Sequence, residues 1–234
     1  IRVLLDRYAT YVYERLPESP TFRIVAGQPT RLVAVAPTLS EPGSDIVVRT
    51  RLEDVWGNPA AEPKTLIHSG FGDPGAYTIS VTDEQTELQT ETNPILVGVN
   101  DGYGRYWADL HGQSEETIGT NSIDDYFRFG RDNAFLDACA HQGNDFQITD
   151  AFWDKIQQTT GEFNQPGKFV TFPGWEWSGN TGLGGDRNVL FREEGGIISR
   201  SSRALVAADE AANPCSETVE ELFDRLENCG REVM

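Results

Sequence analysis

The first hundred residues alternate short apolar runs with turn-forming clusters. Runs rich in Val, Ile and Leu occupy residues 31–36, 46–52, 76–81 and 95–99. The segments between these runs are rich in Gly, Pro, Asn and Ser. Several short strands separated by such turn signals are typical of antiparallel sheets. We therefore predict that this part of the chain is a small all-β, sandwich-like domain.

The pattern changes from about Tyr103 onward, where strand-like runs are interleaved with helix-like stretches. The predicted elements, in the order strand, helix, strand, strand, helix, are residues 135–140, 149–160, 168–172, 187–191 and 216–228. Thr149 is the expected N-cap of the first helix. Alternation of strands and helices predicts the α/β class, as a layer or a barrel. With the boundary near residues 100–102, the predicted domains are 1–100 and 101–234.

Composition and charge narrow the functional classes. Of the 234 residues, 38% are apolar and 10% aromatic, which suffices for a globular core. The net charge of −18 argues against nucleic acid as a partner, because that polymer needs a basic surface. The longest uninterrupted apolar run is residues 32–36, far short of the ~20 residues of a membrane helix. We expect no nucleic acid and no membrane span.

The cysteines and the chain ends suggest a cellular setting. The three cysteines include no close pair, which argues against a disulfide framework and favours the cytoplasm. No signal peptide is visible at Ile1, although that residue is not a Met. Residues 232–234 resemble the start of another strand. We expect the sequence to be a piece of a longer protein.

Four polar clusters adjoin predicted strand ends in the second half of the chain. They lie at residues 107–116, 139–145, 172–178 and 184–189. Asp109 and His111 share one face of a strand, because strand side chains alternate with a period of two. Imidazole and carboxylate groups that converge at strand ends favour a metal or ligand site.

Each cluster also has a plain structural interpretation. His141 could cap a strand, Glu176 could be a solvated loop residue, and His68, which lies in the β-rich half, is expected to be structural. Trp175 and Trp177 could bind carbohydrate, but we favour packing in the core because aromatic rings are usually buried. The sequence has no phosphate-binding glycine loop and no nucleophile elbow.

Segments 106–111, 135–150, 172–177 and 186–189 resemble the DUF3604 family, which is similar to the PHP superfamily of metal-dependent phosphoesterases. The resemblance covers roughly residues 101–234. It implies a partial, distorted β/α barrel that follows the β-sandwich and binds two or three metal ions at the C-terminal ends of its strands.

The resemblance also implies roles for particular residues. The implied metal ligands are Asp109, His111, His141, Asp145 and Glu176, of which Glu176 is the bridging carboxylate. The usual first motif of the PHP superfamily has a second His where this chain has Gln113. The second motif can be aligned in more than one way, so that His141, Asn144 or Asp145 could take the ligand role. Fewer His ligands favour Mn or Mg, with Fe and Zn left open.

The expected activity is that of a metal-dependent hydrolase, most simply a phosphoesterase with a metal-activated water. Glu176 and Asp186 are its catalytic candidates, and Gln113, Asn144 and Arg187 would contact a small anionic substrate. Arg187 could equally pair with Asp186. Residues 101–234 carry a charge of −13, so an anionic substrate requires bound cations. The alternative is a non-catalytic binding or scaffold protein, which Gln113 favours.

Overall fold

The computed structural model describes residues 4–15, 24–179, 182, 184–212 and 214–234. Strands dominate the first part of this range, and the helices all follow residue 122. The strands of the first part are β1 (Leu4–Leu5), β2 (Glu14–Arg15), β3 (Arg31–Val35), β4 (Leu39–Ser40), β5 (Ile46–Glu53), β6 (Lys64–His68), β7 (Gly75–Tyr77), β8 (Ser80–Thr82), β9 (Gln89–Glu91) and β10 (Ile95–Val97). The second part contains β11 (Ala108–Gly112), α1 (Ile123–Asp132), β12 (Ala138–His141), α2 (Asp150–Phe163), β13 (Val170–Phe172), β14 (Gly174–Trp177), β15 (Arg187–Leu190) and α3 (Val219–Glu227).

Small sheets form the β-rich part. Strands β3, β5 and β6 make one antiparallel sheet, β4, β10 and β7 make a second, and β8 pairs with β9. On β5, Ile46 and Val48 are buried and Val47 is 45% exposed, which is the alternation expected of a sheet with one covered face. The predicted run 76–81 is broken into β7 and β8. The division into domains 1–100 and 101–234 stays a prediction.

Three parallel strands make up the sheet of the second part, in the order β11, β12, β13. The crossovers contain α1 and α2, as parallel neighbours require. Thr149 is the N-cap of α2, as predicted, and its Oγ1 accepts a hydrogen bond from the Phe152 backbone N–H at 3.0 Å. The sequence pattern missed α1, whose residues are mostly polar and which buries only a narrow apolar face that includes Ile123 and Phe127.

The predicted β/α barrel is wrong. In the described residues, the parallel sheet ends at β13, and β14 and β15 form a separate antiparallel pair. Pro173 separates β13 from β14 and has no backbone N–H to donate, so the chain leaves the parallel ladder there. The described strands are grouped in sheets of two or three, and none of these sheets closes on itself.

Of the two hydrophobic cores among the described residues, the larger is formed by residues of this second part. Trp175 and Trp177 are fully buried in it, and their indole N–H groups donate to the carbonyls of Ile197 and Ser216 at 2.9 and 3.0 Å. The core-packing interpretation of these two rings is therefore confirmed, and neither ring is open to a sugar. In the described part of the chain, no helix has the length and apolar character needed to cross a bilayer.

Candidate functional site

Neighbouring strands bring polar side chains together around Glu176. On β14, Glu176 stands between the two buried tryptophans and pairs across the sheet with Asn188 of β15. Directly paired residues of an antiparallel sheet project on the same face. On its other side, Glu176 forms an isolated parallel bridge with Asn144, and its N–H donates to the Gly143 carbonyl at 2.9 Å. Two asparagines thus flank one carboxylate.

Glu176 is 7% exposed as a residue, and its carboxylate accepts amide hydrogen bonds. Its Oε2 lies 2.8 Å from Asn144 Nδ2, 3.4 Å from Gln113 Nε2 and 3.8 Å from His111 Nε2. Burial raises the pKa of Glu176, His111 opposes that shift, and the charges of Asp186 and Asp145 add to it. We call His111, Gln113, Asn144, Glu176 and Asn188 the Glu176 cluster.

The orientation of His111 is set by its neighbours. Its Nδ1 lies 2.9 Å from Asn188 Oδ1, which can accept a hydrogen bond from the ring. This partner favours the proton on Nδ1, so that Nε2 presents its lone pair towards Glu176. Asp109 Oδ1 accepts the His111 backbone N–H at 3.0 Å, where the pairing of β11 with β12 shifts register. Asp109 therefore supports the local backbone of His111.

The structure does not bring His141 into the cluster. Its side chain is fully buried, its Nε2 lies 2.9 Å from Ser114 Oγ, and its Nδ1 accepts the Gly143 N–H at 3.3 Å. Burial lowers the pKa of His141 to about 4, against an opposing effect of the Glu116 charge. The ring is neutral at pH 7, and hydrogen bonds within the protein occupy both of its nitrogens.

Asp145 is also held apart from the cluster. Its fully buried carboxylate accepts the Ser178 N–H at 2.9 Å, the Ser201 hydroxyl at 3.2 Å and the Ser201 N–H. Burial raises the pKa of Asp145, and these hydrogen bonds act in the opposite direction. The carboxylate joins the segments around Ser178 and Ser201, which is a structural task.

Asp186 lies on the loop that leads into β15, and Arg187 is the first residue of that strand. Asp186 is exposed, and its charge acts on Glu176. Arg187 Nη1 donates to the Asp186 carbonyl oxygen at 2.9 Å. Because Arg187 precedes Asn188 on the strand, its side chain projects from the opposite face, away from Glu176.

Sequence reasoning placed two further polar residues in the predicted clusters but gave them no role. Asn188 orients His111, and the Ser178 hydroxyl lies 3.1 Å from Asn144 Nδ2. A signal for Asn188 was present, since strand periodicity places every second residue of 187–191 on one face. Without knowledge that β14 is the partner strand, however, this periodicity does not show that Asn188 lies beside Glu176.

Only His111 and Glu176 in the cluster offer an imidazole and a carboxylate close enough to share one cation. Among the described residues, no group of three or more His, Cys, Asp or Glu side chains could hold a metal ion. The 3.8 Å between His111 Nε2 and Glu176 Oε2 is nonetheless compatible with a shared cation, since two ligands about 2.1 Å from a metal lie up to about 4.2 Å apart. The amide oxygens of Gln113 and Asn144 already accept hydrogen bonds, from the Thr117 hydroxyl at 2.7 Å and from Gln113 Nε2 at 3.1 Å, so the further ligands of a hard cation would be water. The set is too small for two or three metals.

Fold and site together define a class of protein, in which a short parallel α/β layer beside small β-sheets carries a buried carboxylate next to an oriented imidazole. The chain belongs to the DUF3604 family, described as proteins of unknown function, whose family model matches residues 85–233.

The relatives found among curated proteins are also uncharacterized. An uncharacterized protein of Chlamydia pneumoniae is 29% identical over 126 residues, and one of Chlamydia trachomatis is 27% identical over the same length. Each match covers 53% of this chain and 20% of the relative, so the chain spans about a fifth of the length of these proteins. No solved structure matches the chain significantly.

Proposed function

We propose that this chain carries the centre of a metal-dependent hydrolase that acts on small phosphoesters, with Glu176 and His111 as the metal-binding pair. The observation that carries the proposal is the hydrogen bond between His111 Nδ1 and Asn188 Oδ1. Metal-binding histidines usually donate their other ring N–H to such an acceptor, which orients the ring.

The charge balance at Glu176 also supports a cation. Glu176 is buried, and the one basic side chain that the described residues place within 4 Å of its carboxylate is the half-exposed His111, which carries no charge when only Nδ1 is protonated. A buried carboxylate without a compensating charge is costly, so it takes up either a proton or a cation. A divalent ion would also offset the acidity of this half of the chain towards an anionic substrate.

The residues of the cluster would divide the work. A cation held by His111 and Glu176 would supply an acidified water and would polarise a phosphoryl oxygen. Asn144 and Gln113 donate to Glu176 and hold its carboxylate in place. Further hydrogen bonds within the protein occupy both amide groups, which does not support the substrate contact expected of them. Asp186, exposed beside the cluster, is the proposed proton acceptor. The side chain of Arg187 points from the other face, which does not support the substrate contact expected of it.

The test is metal content and turnover of the full-length protein purified without chelator. We expect about one Mn, Mg, Fe or Zn per chain and hydrolysis of p-nitrophenyl phosphate or its bis ester. Glu176→Gln and His111→Ala should each lose the metal and at least about 99% of the turnover. His68→Ala, a matched control whose ring lies in the β-rich part, should keep both. Full metal binding in the two cluster variants would overturn the proposal.

A binding role without catalysis is the second candidate, and the contacts of Gln113 favour it. Gln113 Nε2 donates to both Asn144 Oδ1 and Glu176, and its Oε1 accepts from Thr117 at 2.7 Å. Such a self-contained amide network needs no reacting group. Metal or ligand binding that Glu176→Gln weakens, without turnover in the parent protein, would establish this role in place of hydrolysis.

We also propose a reducing, cytoplasmic setting. Cys139, Cys215 and Cys229 are free thiols, and burial raises the pKa of Cys139 to about 11, which keeps it unreactive. Fractionation of cells that produce the full-length protein tests the location, and recovery in the membrane or secreted fraction would contradict it.

A further inference from the structure

A cleft lined by none of the Glu176 cluster residues lies between the β-rich part and the α/β part. It has a volume of about 910 Å³, which is within the size range of small-molecule sites. Strands β3 and β5 line one wall, and the segment before β11 and the segment before β12 line the other. Clefts between two packed regions are common places for ligands.

Direct bonds between the two regions hold the walls of this cleft in place. Arg49 Nη2 donates to the Phe135 carbonyl at 2.9 Å, and Trp107 Nε1 donates to Thr38 Oγ1 at 3.0 Å. The guanidinium groups of Arg49 and Arg51 lie 5.3 and 5.5 Å from the centre of the Phe135 ring. Because hydrogen bonds connect its two sides, the cleft is already formed without a ligand. Little of the binding free energy would therefore be lost in ordering the cleft.

Phe135 itself has an unusual backbone. Its φ is +60°, which is costly for a bulky side chain, and its ring is 3% exposed. The two arginine contacts hold the residue in this conformation. Strained residues cluster near functional sites, and this one lines the cleft.

The charge of the cleft opposes that of the chain. Arg49, Arg105 and Lys168 line it with Asp137 as the one acidic residue among the lining side chains that the structure describes, whereas the whole sequence carries −18. Arg105 pairs with Asp101. The charge of Asp137 acts on Arg49, so Lys168 is the cation of this cleft that no carboxylate offsets among the described residues. Asp137 Oδ2 is already used by the Trp107 backbone N–H at 2.8 Å. Lys168 has no carboxylate partner among the described residues, so its ammonium is open to an anion.

Aromatic rings stand beside these cations. Tyr106 is 78% exposed and Trp107 is 55% exposed, and both line the cleft. Large aromatic side chains that are exposed to solvent next to a basic group are more typical of a binding surface than of a surface that binds no ligand. Ring faces favour a flat or ring-shaped partner, and the cations favour a negative charge on it.

We propose that this cleft binds a small ring-bearing anion, with the ring against Tyr106 and Trp107 and the carboxylate or phosphate against Lys168 and Arg49. The site is independent of the proposed hydrolase centre. The same chemistry is offered by an acidic sugar, an aromatic acid or a mononucleotide, and the experiment separates these sources.

Calorimetric titration of the full-length protein tests the proposal with three anions and their neutral counterparts. The pairs are glucuronate with glucose, benzoate with benzyl alcohol, and adenosine monophosphate with adenosine. We expect one anion to bind one-to-one with a Kd below about 1 mM, and its neutral counterpart about tenfold more weakly. The pair that shows this difference identifies the source.

Variants then locate the site. Tyr106→Ala and Lys168→Gln should each weaken the anion about fivefold. Tyr103→Ala is the matched control for the ring, since Tyr103 is also 78% exposed and lies outside the cleft lining. Lys155→Gln controls for loss of one lysine. Failure of all three anions to bind below about 1 mM, or equal weakening by the control variants, would overturn the proposal.

Discussion

Two carboxylate and imidazole pairs lie in the α/β part, and the protein treats them in opposite ways. Asp145 and His141 are fully buried, and nearby serines and a backbone N–H satisfy their polar atoms. Glu176 is almost as buried, but its neighbours are two amides and His111, whose side chain is 55% exposed. The first pair is closed and holds segments together. In the second pair the imidazole of His111 is exposed to solvent, so a ligand can approach the pair from that side.

The largest effect that separates the two pairs is expected for Asp145→Ala. The change leaves the N–H groups of Ser178 and Ser201 without their acceptor inside the protein, and the free energy of unfolding should fall by about 4 kcal/mol. Urea unfolding measures the loss. Asp145→Asn, which keeps an acceptor oxygen, is the control and should lose about half as much. A loss below about 1 kcal/mol for Asp145→Ala would contradict the structural role.

The pH dependence of stability sharpens the comparison at His141. Its pKa of about 4 in the folded protein is below the ordinary value of 6.5, so the unfolded chain takes up a proton first. The contribution of the neutral ring is complete above pH 6.5 and is lost as the pH falls to 4, by up to about 3 kcal/mol. His141→Gln lacks this titration, so its difference in unfolding free energy from the parent should shrink across that range. A constant difference would show that His141 titrates normally.

Asn188→Ala addresses the orientation of His111 without touching a proposed metal ligand. Removing Asn188 Oδ1 frees the imidazole to rotate and to change tautomer, and the affinity for Mn²⁺ should fall about tenfold to a hundredfold. The parent fold should persist because Asn188 is exposed. Arg187→Ala, on the opposite face of the same strand, is the matched control. Equal losses in both variants would mean that β15 as a whole, rather than the Asn188 contact, supports binding.

The comparison also shows what sequence could and could not predict. A carboxylate between two aromatics at a strand end makes Glu176 a candidate, but the same pattern also allows a solvated loop residue, and only the family resemblance implies a metal-ligand role for Glu176. His141 and His111 have the same local signature, a His that follows a strand. Whether the ring turns into the core or towards solvent depends on packing partners such as Ser114, which lie 27 positions away.

The error in the fold has a similar origin. The predicted strand 168–172 ends at the same residue as β13, but local sequence does not say which strand the chain pairs with next. The pairing of β14 with β15 is set by long-range burial of Trp175 and Trp177, and it converts a barrel pattern into a separate antiparallel pair.

The smallest expected effect on stability is that of Glu176→Gln without metal, and this variant is also the most discriminating. In chelator, the variant removes a buried charge while its amide oxygen can still accept from Asn144, so its stability at pH 7 should lie within about 1 kcal/mol of the parent, on the favourable side. Because the pKa of Glu176 is raised in the folded protein, the parent gains stability as the pH falls and the carboxyl is protonated, and the advantage of the variant should fade. With saturating Mn²⁺ the order should reverse, since a cation that binds the folded parent stabilises it by mass action and the variant binds it poorly. Thermal unfolding with and without the metal measures both arms. A variant that Mn²⁺ stabilises as much as the parent would place the cation elsewhere and leave Glu176, like Asp145, a structural carboxylate.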